Sequence, residues 1–323
     1  MSAETLLLTI LLLPLAGAAG IIIARNHPDV REAVTLLCSA LIAILVVMLA
    51  TRFMDGEVFA LTLIEPLPGI AIAFEIEALG MLFALVAGLL WVVTSIYSIG
   101  YMRGHNEQNQ TRFYAAFAVS IAATMGIAFS ANLFTLFLFY ELLTLSTYPL
   151  VTHADTPEAK RGGRVYLGIL LGTSIGLFLL GILVTWSLTG SVDFEAGGIL
   201  SGHIDPAWAG LLYALFLFGN GKAAVMPFHR WLPAAMVAPT PVSALLHAVA
   251  VVKAGVFTLL KVTIYIFGGE FILSNDVTGG LIWVAAATIL IASMVAMTKD
   301  NLKARLAYST VSQLSYIVLG AML

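Results

Sequence analysis

The stretch GNGKAAVMPFHRWLP, Gly219–Pro233, decides how this chain is read. A lysine, Lys222, closes an apolar run that begins near Ala207, and Pro227 follows five residues later. Proline has no amide hydrogen, and its ring clashes with the carbonyl four residues back, here that of Ala223, so a helix through this run is predicted to break just beyond Lys222. The break leaves carbonyls unpaired beside an ammonium. Inside a membrane, such interrupted helices are tolerated where they line a cavity or an ion path. Pro233, Pro239 and Pro241 keep the chain irregular up to the next apolar run.

The surroundings of this stretch are membrane protein throughout. Of 323 residues, 60% are hydrophobic and 10% charged, against about 45–50% and about 25% in soluble domains. Mean hydropathy is +1.01. Runs long enough to cross about 30 Å of hydrocarbon occur at Leu6–Ala24, Ala33–Thr51, Ala78–Tyr101, Phe113–Ser130, Ala131–Val151, Val165–Leu188, Ala207–Met226, Val242–Phe267, Thr278–Thr298 and Leu306–Leu323. The expected fold is therefore all-α, with ten transmembrane helices and a discontinuous seventh. The first run lacks the basic flank and small-residue cleavage site of a secretory signal and is kept as a span. In the longest connection, residues 52–77, the alternation Gly69-Ile-Ala-Ile-Ala-Phe74 reads as a short external β-hairpin.

Lys and Arg favour cytoplasmic loops. The connections after spans one, three, five and nine carry Arg25, Arg31, Arg103, Arg112, Lys160, Arg161, Arg164, Lys299, Lys303 and Arg305, whereas the opposite connections carry Arg52 alone and many acids. This bias places the basic loops in the cytoplasm and the N-terminus outside, in a plasma (inner) membrane. The lone cysteine, Cys38, allows neither an internal disulfide nor a cysteine-ligated cluster. A net charge of −3 and no basic patch or phosphate loop exclude nucleic-acid binding. No nucleophile, metal constellation or cofactor motif is seen, so no cofactor and no metal are expected, and a transporter subunit is expected rather than an enzyme in its own right.

Charges remaining at membrane depth carry the functional argument, because each costs from about 2.5 kcal/mol to well over 10 and usually has a role. Glu141, in LFTLFLFYELL (residues 133–143), lies nine residues before Leu150, roughly 13 Å from that end at 1.5 Å per residue. With Lys222 it is a candidate proton-binding pair. His247 and Lys253 lie on the eighth span; six residues of regular helix separate them by about 9 Å and about 120°, a distance that water can bridge in a relay. Lys261 is close enough to a span end to snorkel. His229 and Arg230, with Trp231, are expected to anchor the cytoplasmic side. A carboxylate moved from roughly 4 to 8 Å from an ammonium, at an effective dielectric of about 20, withdraws about 2 kcal/mol. A conformational change in a partner that separates Glu141 from Lys222 would thus move a proton without redox chemistry in this chain.

The run from Lys222 to His247, KAAVMPFHRWLPAAMVAPTPVSALLH, closely resembles the antiporter-like subunits shared by respiratory complex I, Mrp-type antiporters and membrane-bound hydrogenases. Glu141 after its aromatic stretch and LAYSTVSQLSY (residues 306–316) are similar to the same family. The resemblance implies inverted five-helix repeats: residues 1–112 as three leading helices, 113–267 as the first repeat, and 268–323 as the start of a second repeat that is incomplete. It places Glu141 at the pairing glutamate, Lys222 at the broken-helix lysine, and His247 and Lys253 at relay positions. Ala234 stands where many members have Asp, so a carboxylate cannot be assumed there. Lys253 with its flanks looks more like Mrp-type subunits, the D-type member in particular. The implied function is proton translocation in a multisubunit sodium/proton antiporter, with other membrane subunits as partners. The alternatives are the equivalent subunit of a proton-pumping NADH:quinone oxidoreductase or membrane-bound hydrogenase, and a non-conducting structural subunit.

Overall fold

The computed structural model describes residues 2–323, the side chain of Leu67 excepted. Ten helical segments correspond to the ten expected spans. They are α1 (Ala3–Ile23), α2 (Pro28–Met54), α3 (Ala78–Gly104), α4 (Gln110–Ala128), α5 (Leu133–Val151), α6 (Pro157–Thr189), α7 (Pro206–Gly219), α8 (Thr240–Phe267), α9 (Gly279–Met297) and α10 (Leu302–Met322). Eight of these are long and apolar enough to cross a membrane; α7 is shorter, and α10 opens with Lys303 and Arg305. The chain is a multi-pass membrane protein.

Sequence-local chemistry sets the helix starts. Ser2, Asn132, Thr156 and Asp205 accept backbone N–H groups at the starts of α1, α5, α6 and α7, and Pro28, Pro157 and Pro206 occupy first turns, where a missing N–H costs nothing. Helices α1–α4 pack on one another, α4 on α5, and α9 on α10. Helices α4 and α8 are the most enclosed, so their small and polar residues face protein rather than lipid.

The expected hairpin is present as β1 (Ala60–Leu67) and β2 (Ile70–Glu75), antiparallel, with Ala60 opposite Glu75 and Leu67 opposite Ile70. Its turn residue Gly69 has φ +75°, and a Cβ there would strike the carbonyl of Gly190 at the end of α6. Asn132 Nδ2 and Thr135 Oγ1 both donate to Ala71 O, at 2.8 and 3.0 Å, which fastens the hairpin to the first turn of α5. At the opposite end Arg31 is buried and donates to Gln110 Oε1 at 2.7 Å, while Arg103 pairs with Asp29 and Glu32. Two of the basic residues counted as loop charges therefore join helices.

Three departures from regular helix matter for the site. Helix α6 contains a π turn at Ser174–Phe178, against which α7 packs. In α8, Leu245–Val249 is a π turn and Ala250 leaves helical geometry, with φ −127° and ψ −70°. The regular spacing assumed between His247 and Lys253 does not hold, because the irregularity falls between them. The last turns of α8, Val262–Phe267, are again π.

Candidate functional site

Helix α7 ends at Gly219, three residues before Lys222, so the break precedes the lysine instead of following it. The cause lies in the glycines and in Asn220. A Cβ on Gly219 would collide with the backbone of Phe178, and one on Gly221 with Thr173 Oγ1. Asn220 Nδ2 donates to Gly255 O of α8 at 2.5 Å, and Trp231 Nε1 donates to Gly221 O at 2.8 Å. These bonds replace the ladder that the interrupted helix gives up. Gly221–Ala223 is a single tight turn, and Ala224 then adopts a left-handed conformation, φ +56°. Gly255 lets α8 approach this turn so closely that any Cβ would overlap Ala223 N and Lys222 C.

Lys222 is fully buried. Its Nζ donates to Tyr140 O at 2.8 Å and to Thr144 Oγ1 at 2.6 Å, and lies 3.1 Å from the centre of the Tyr140 ring. The Tyr140 hydroxyl accepts from Lys222 N at 3.1 Å and donates to Asn220 Oδ1 at 2.9 Å. One turn of α5 thus holds both the backbone and the side-chain nitrogen of Lys222, with oxygen dipoles and an aromatic face placed to stabilise its charge when it carries a proton.

Glu141 follows Tyr140 directly, turned about 100° around α5. Among the described residues its two carboxylate oxygens are buried without a hydrogen-bond partner, and no ion pair with Lys222 forms within 4.0 Å. The lysine contacts the peptide just ahead of the glutamate instead. Glu141 shares its stripe of α5 with Leu138 and Leu145, both exposed at the outside of this chain. It therefore stands at the edge of the bundle.

The other expected relay residues lie apart from this pair. His247 is buried, with Nε2 at 3.2 Å from Met236 Sδ and Nδ1 unpartnered among the described residues. Lys253 is half-buried in an apolar groove of ≈ 240 Å³, beside Leu82, Phe83 and Val86 of α3 and Ile317 of α10, with no polar partner among the described residues. His229 is half-buried and lies across from the Tyr308 ring; Arg230 is exposed.

Lys261 does not snorkel. It is buried, 1% exposed, with Nζ 2.8 Å from Glu77 Oε1, donating to Ser130 O at 2.7 Å, and 4.1 Å from the Phe194 ring centre. An acid beside the hairpin and the serine just beyond α4 give the ammonium a destination inside the protein, which a reading based on distance from the span end overlooks. Tyr140, Thr144 and Asn220 also escape the sequence reading. Their signal is available as polar atoms within apolar runs that flank the two charges.

Residues 130–323 match the family model described as NADH:quinone oxidoreductase/Mrp antiporter, TM. The chain belongs to this family. Residues 68–114 match a second model, NADH-Ubiquinone oxidoreductase (complex I), chain 5 N-terminus. A probable K(+)/H(+) antiporter A/B polypeptide of Rhizobium meliloti is 31% identical over 326 aligned positions, covering 98% of this chain and 31% of that protein. The chloroplastic NAD(P)H-quinone oxidoreductase subunit 5 of Chlorokybus atmophyticus is 32% identical over 265 positions, 77% of this chain and 39% of that one. The chain thus spans about a third of the length of these curated relatives. In structure it is similar to a chain of the Mrp complex from a Dietzia species, with a TM-score of 0.79, 25% identity, and coverage of 98% of this chain and 34% of that one. A chain of the membrane-bound sulfane sulfur reductase, an archaeal respiratory membrane complex, superposes with a TM-score of 0.85 at 22% identity, covering 98% of this chain and 64% of that one, and so shares the fold. The antiporter-like membrane architecture expected from the broken-helix motif is the one observed.

Proposed function

We propose that this chain translocates protons as one subunit of a multisubunit monovalent cation/proton antiporter, with sodium as the coupled cation. The observation that carries the proposal is the placement of Lys222: a fully buried ammonium in a helix break, held by Tyr140 O and Thr144 Oγ1 next to a carboxylate, Glu141, that has no partner among the described residues. A buried amine and acid without mutual neutralisation are expensive to keep unless their protonation changes during work. In this reading Lys222 loads a proton when Glu141 is close and charged. It releases that proton when a rearrangement at the exposed face of α5 moves or neutralises Glu141, the step worth about 2 kcal/mol in the Coulomb estimate. His247 and Lys253 serve as relay positions on α8, with water bridging the gaps that separate them from Lys222.

The exposed Leu138 and Leu145, which flank half-buried Glu141 on α5, mark the side from which a neighbouring subunit would act on the pair. Residues 1–112 serve as leading helices, 113–267 as the proton-carrying unit and 268–323 as the beginning of a second such unit. The basic ends face the cytoplasm of a plasma-membrane-embedded complex, and the hairpin faces outward. A respiratory parent complex is the second reading, favoured by the chloroplastic NAD(P)H-quinone oxidoreductase relatives. The antiporter reading draws support from the Rhizobium meliloti relative, whose similarity runs through α1 and α2 as well. Purification of the assembled complex from native membranes separates the two. Sodium-driven proton movement in proteoliposomes without NAD(P)H:quinone activity is expected, whereas quinone-linked pumping with no response to sodium or potassium would reassign the parent complex.

A further inference from the structure

Lys261, Glu77 and Tyr265 surround a cavity of ≈ 170 Å³ that Glu75, Ser130 and Phe194 complete on the hairpin side of the molecule. The cavity is built rather than accidental. Its ammonium is almost fully enclosed and meets a carboxylate, a helix-end carbonyl and an aromatic face. The titratable groups facing Lys261 from the elements around it are Glu77 at the start of α3, Glu75 at the end of β2, and Tyr265 one turn further along α8. An ion pair with such enclosure stabilises a fold poorly for what its desolvation costs, which turns attention to a function.

Its position relative to Lys222 supplies that function. Gly255, Thr258 and Lys261 recur every three residues on α8, within the regular stretch Val251–Lys261, so each step rises about 4.5 Å and turns about 60°, and the series winds about 120° around the helix from Gly255 to Lys261. Gly255 O accepts from Asn220, whose own Oδ1 accepts from the Tyr140 hydroxyl that contacts Lys222. Between Gly255 and Lys261 stands Thr258, fully buried, with a hydroxyl that has no hydrogen-bond partner among the described residues. In a helix a threonine hydroxyl ordinarily bonds back to the carbonyl four residues earlier; this one is left unsatisfied at a cost.

We propose that Thr258 and the Lys261–Glu77 pair form an outward proton exit within this half of the molecule, running from Lys222 along α8 to the hairpin-side cavity. This rests on the proton-translocation reading above. The carrier is water: a proton leaving Lys222 Nζ passes through bridging water to Thr258 Oγ1, which gains one O–H bond as it gives up its own hydrogen to the next water. Arrival at Glu77 makes a carboxyl O–H bond and frees the Lys261 ammonium from its counter-charge. Loss of that hydrogen to the outer water restores the pair. Each step makes one O–H or N–H bond and breaks another, with no change of oxidation state.

The test is proton flux in proteoliposomes carrying the assembled complex, for Thr258→Val, Thr258→Ser, Glu77→Gln and Lys222→Ala, with thermal stability measured alongside. Valine replaces an unbonded hydroxyl, so Thr258→Val is expected to leave stability unchanged or raise it. It should nevertheless cut flux about a hundredfold, the loss expected when a positioned proton carrier is removed. Thr258→Ser should retain flux. Glu77→Gln should lower flux similarly; if that variant fails to assemble, Thr258→Val decides alone. Wild-type flux in Thr258→Val, in a complex where Lys222→Ala abolishes transport, would overturn the exit and leave the Lys222 reading standing. Wild-type flux in Lys222→Ala would remove both.

Discussion

Thr144→Val removes one of the two oxygens that hold the Lys222 ammonium while preserving the volume of the side chain. The bond lost is short, 2.6 Å, and buried on both sides. A hydrogen bond to a charged group contributes about 1.5–3 kcal/mol, and every 1.4 kcal/mol is a factor of ten, so the protonated lysine loses roughly 10- to 100-fold in population relative to the neutral form. The loss is partial by construction, because Tyr140 O at 2.8 Å belongs to the backbone and stays. Proton flux through the reconstituted complex, driven by a cation gradient and read with a pH-sensitive dye, should fall by about one to two orders of magnitude near neutral pH. Thr144→Ser, which keeps the oxygen, should transport normally. Flux in Thr144→Val indistinguishable from wild type, at equal assembly, would refute the idea that the occupancy of Lys222 limits transport.

Other consequences follow from local geometry. Gly255→Ala drives a Cβ into the backbone of Lys222 and Ala223; an overpacking cost of about 1–3 kcal/mol is expected, visible as a lower melting temperature of the complex together with impaired flux. Gly69→Ala, at φ +75° and against the Gly190 carbonyl, should loosen the hairpin from α6 and speed limited proteolysis within residues 52–77. His153, just beyond α5, is held below the ordinary histidine range chiefly by burial and then by the charge of Arg112, against a smaller opposing pull from Glu107. The unfolded chain therefore takes up this proton first, so stability is full above the unfolded value of about 6.5 and declines as pH falls from there toward the lowered folded value. Thermal unfolding scanned across this range should show that acid limb, and His153→Gln should flatten it.

Much of this architecture can be read from hydropathy and charge alone because a membrane imposes strict terms on a chain. Runs such as Leu133–Val151 have no other way to satisfy their backbone, and the alternation at Gly69–Phe74 suits only a strand. The finer geometry depends on contacts between distant segments. Pro227 announces a broken helix, yet the break falls at Gly219, where the backbone of α6 presses on Gly219, the Thr173 side chain of α6 on Gly221, and the turn at Lys222–Ala223 on Gly255 of α8. Sequence spacing on a regular helix cannot foresee the π turn at Leu245–Val249, which contains His247, or the break at Ala250 that separates it from Lys253. Span ends invite snorkelling, which points Lys261 to the membrane surface; its true partner, Glu77, lies 184 positions earlier in the chain. Glu141 and Lys222 are expected as a direct pair, whereas the ammonium is satisfied by Tyr140 O and Thr144 Oγ1, atoms whose role is set by how α5 is turned.

The central claim is that a proton resides on Lys222 under the influence of Glu141 and leaves during transport. Proton uptake into sealed proteoliposomes containing the fully assembled complex tests this directly, with wild type, Lys222→Ala and Glu141→Gln compared at matched protein content. Loss of uptake in Lys222→Ala and a strong reduction in Glu141→Gln are predicted. Undiminished uptake in an assembled Lys222→Ala complex would contradict the account and leave the chain a structural member of its complex.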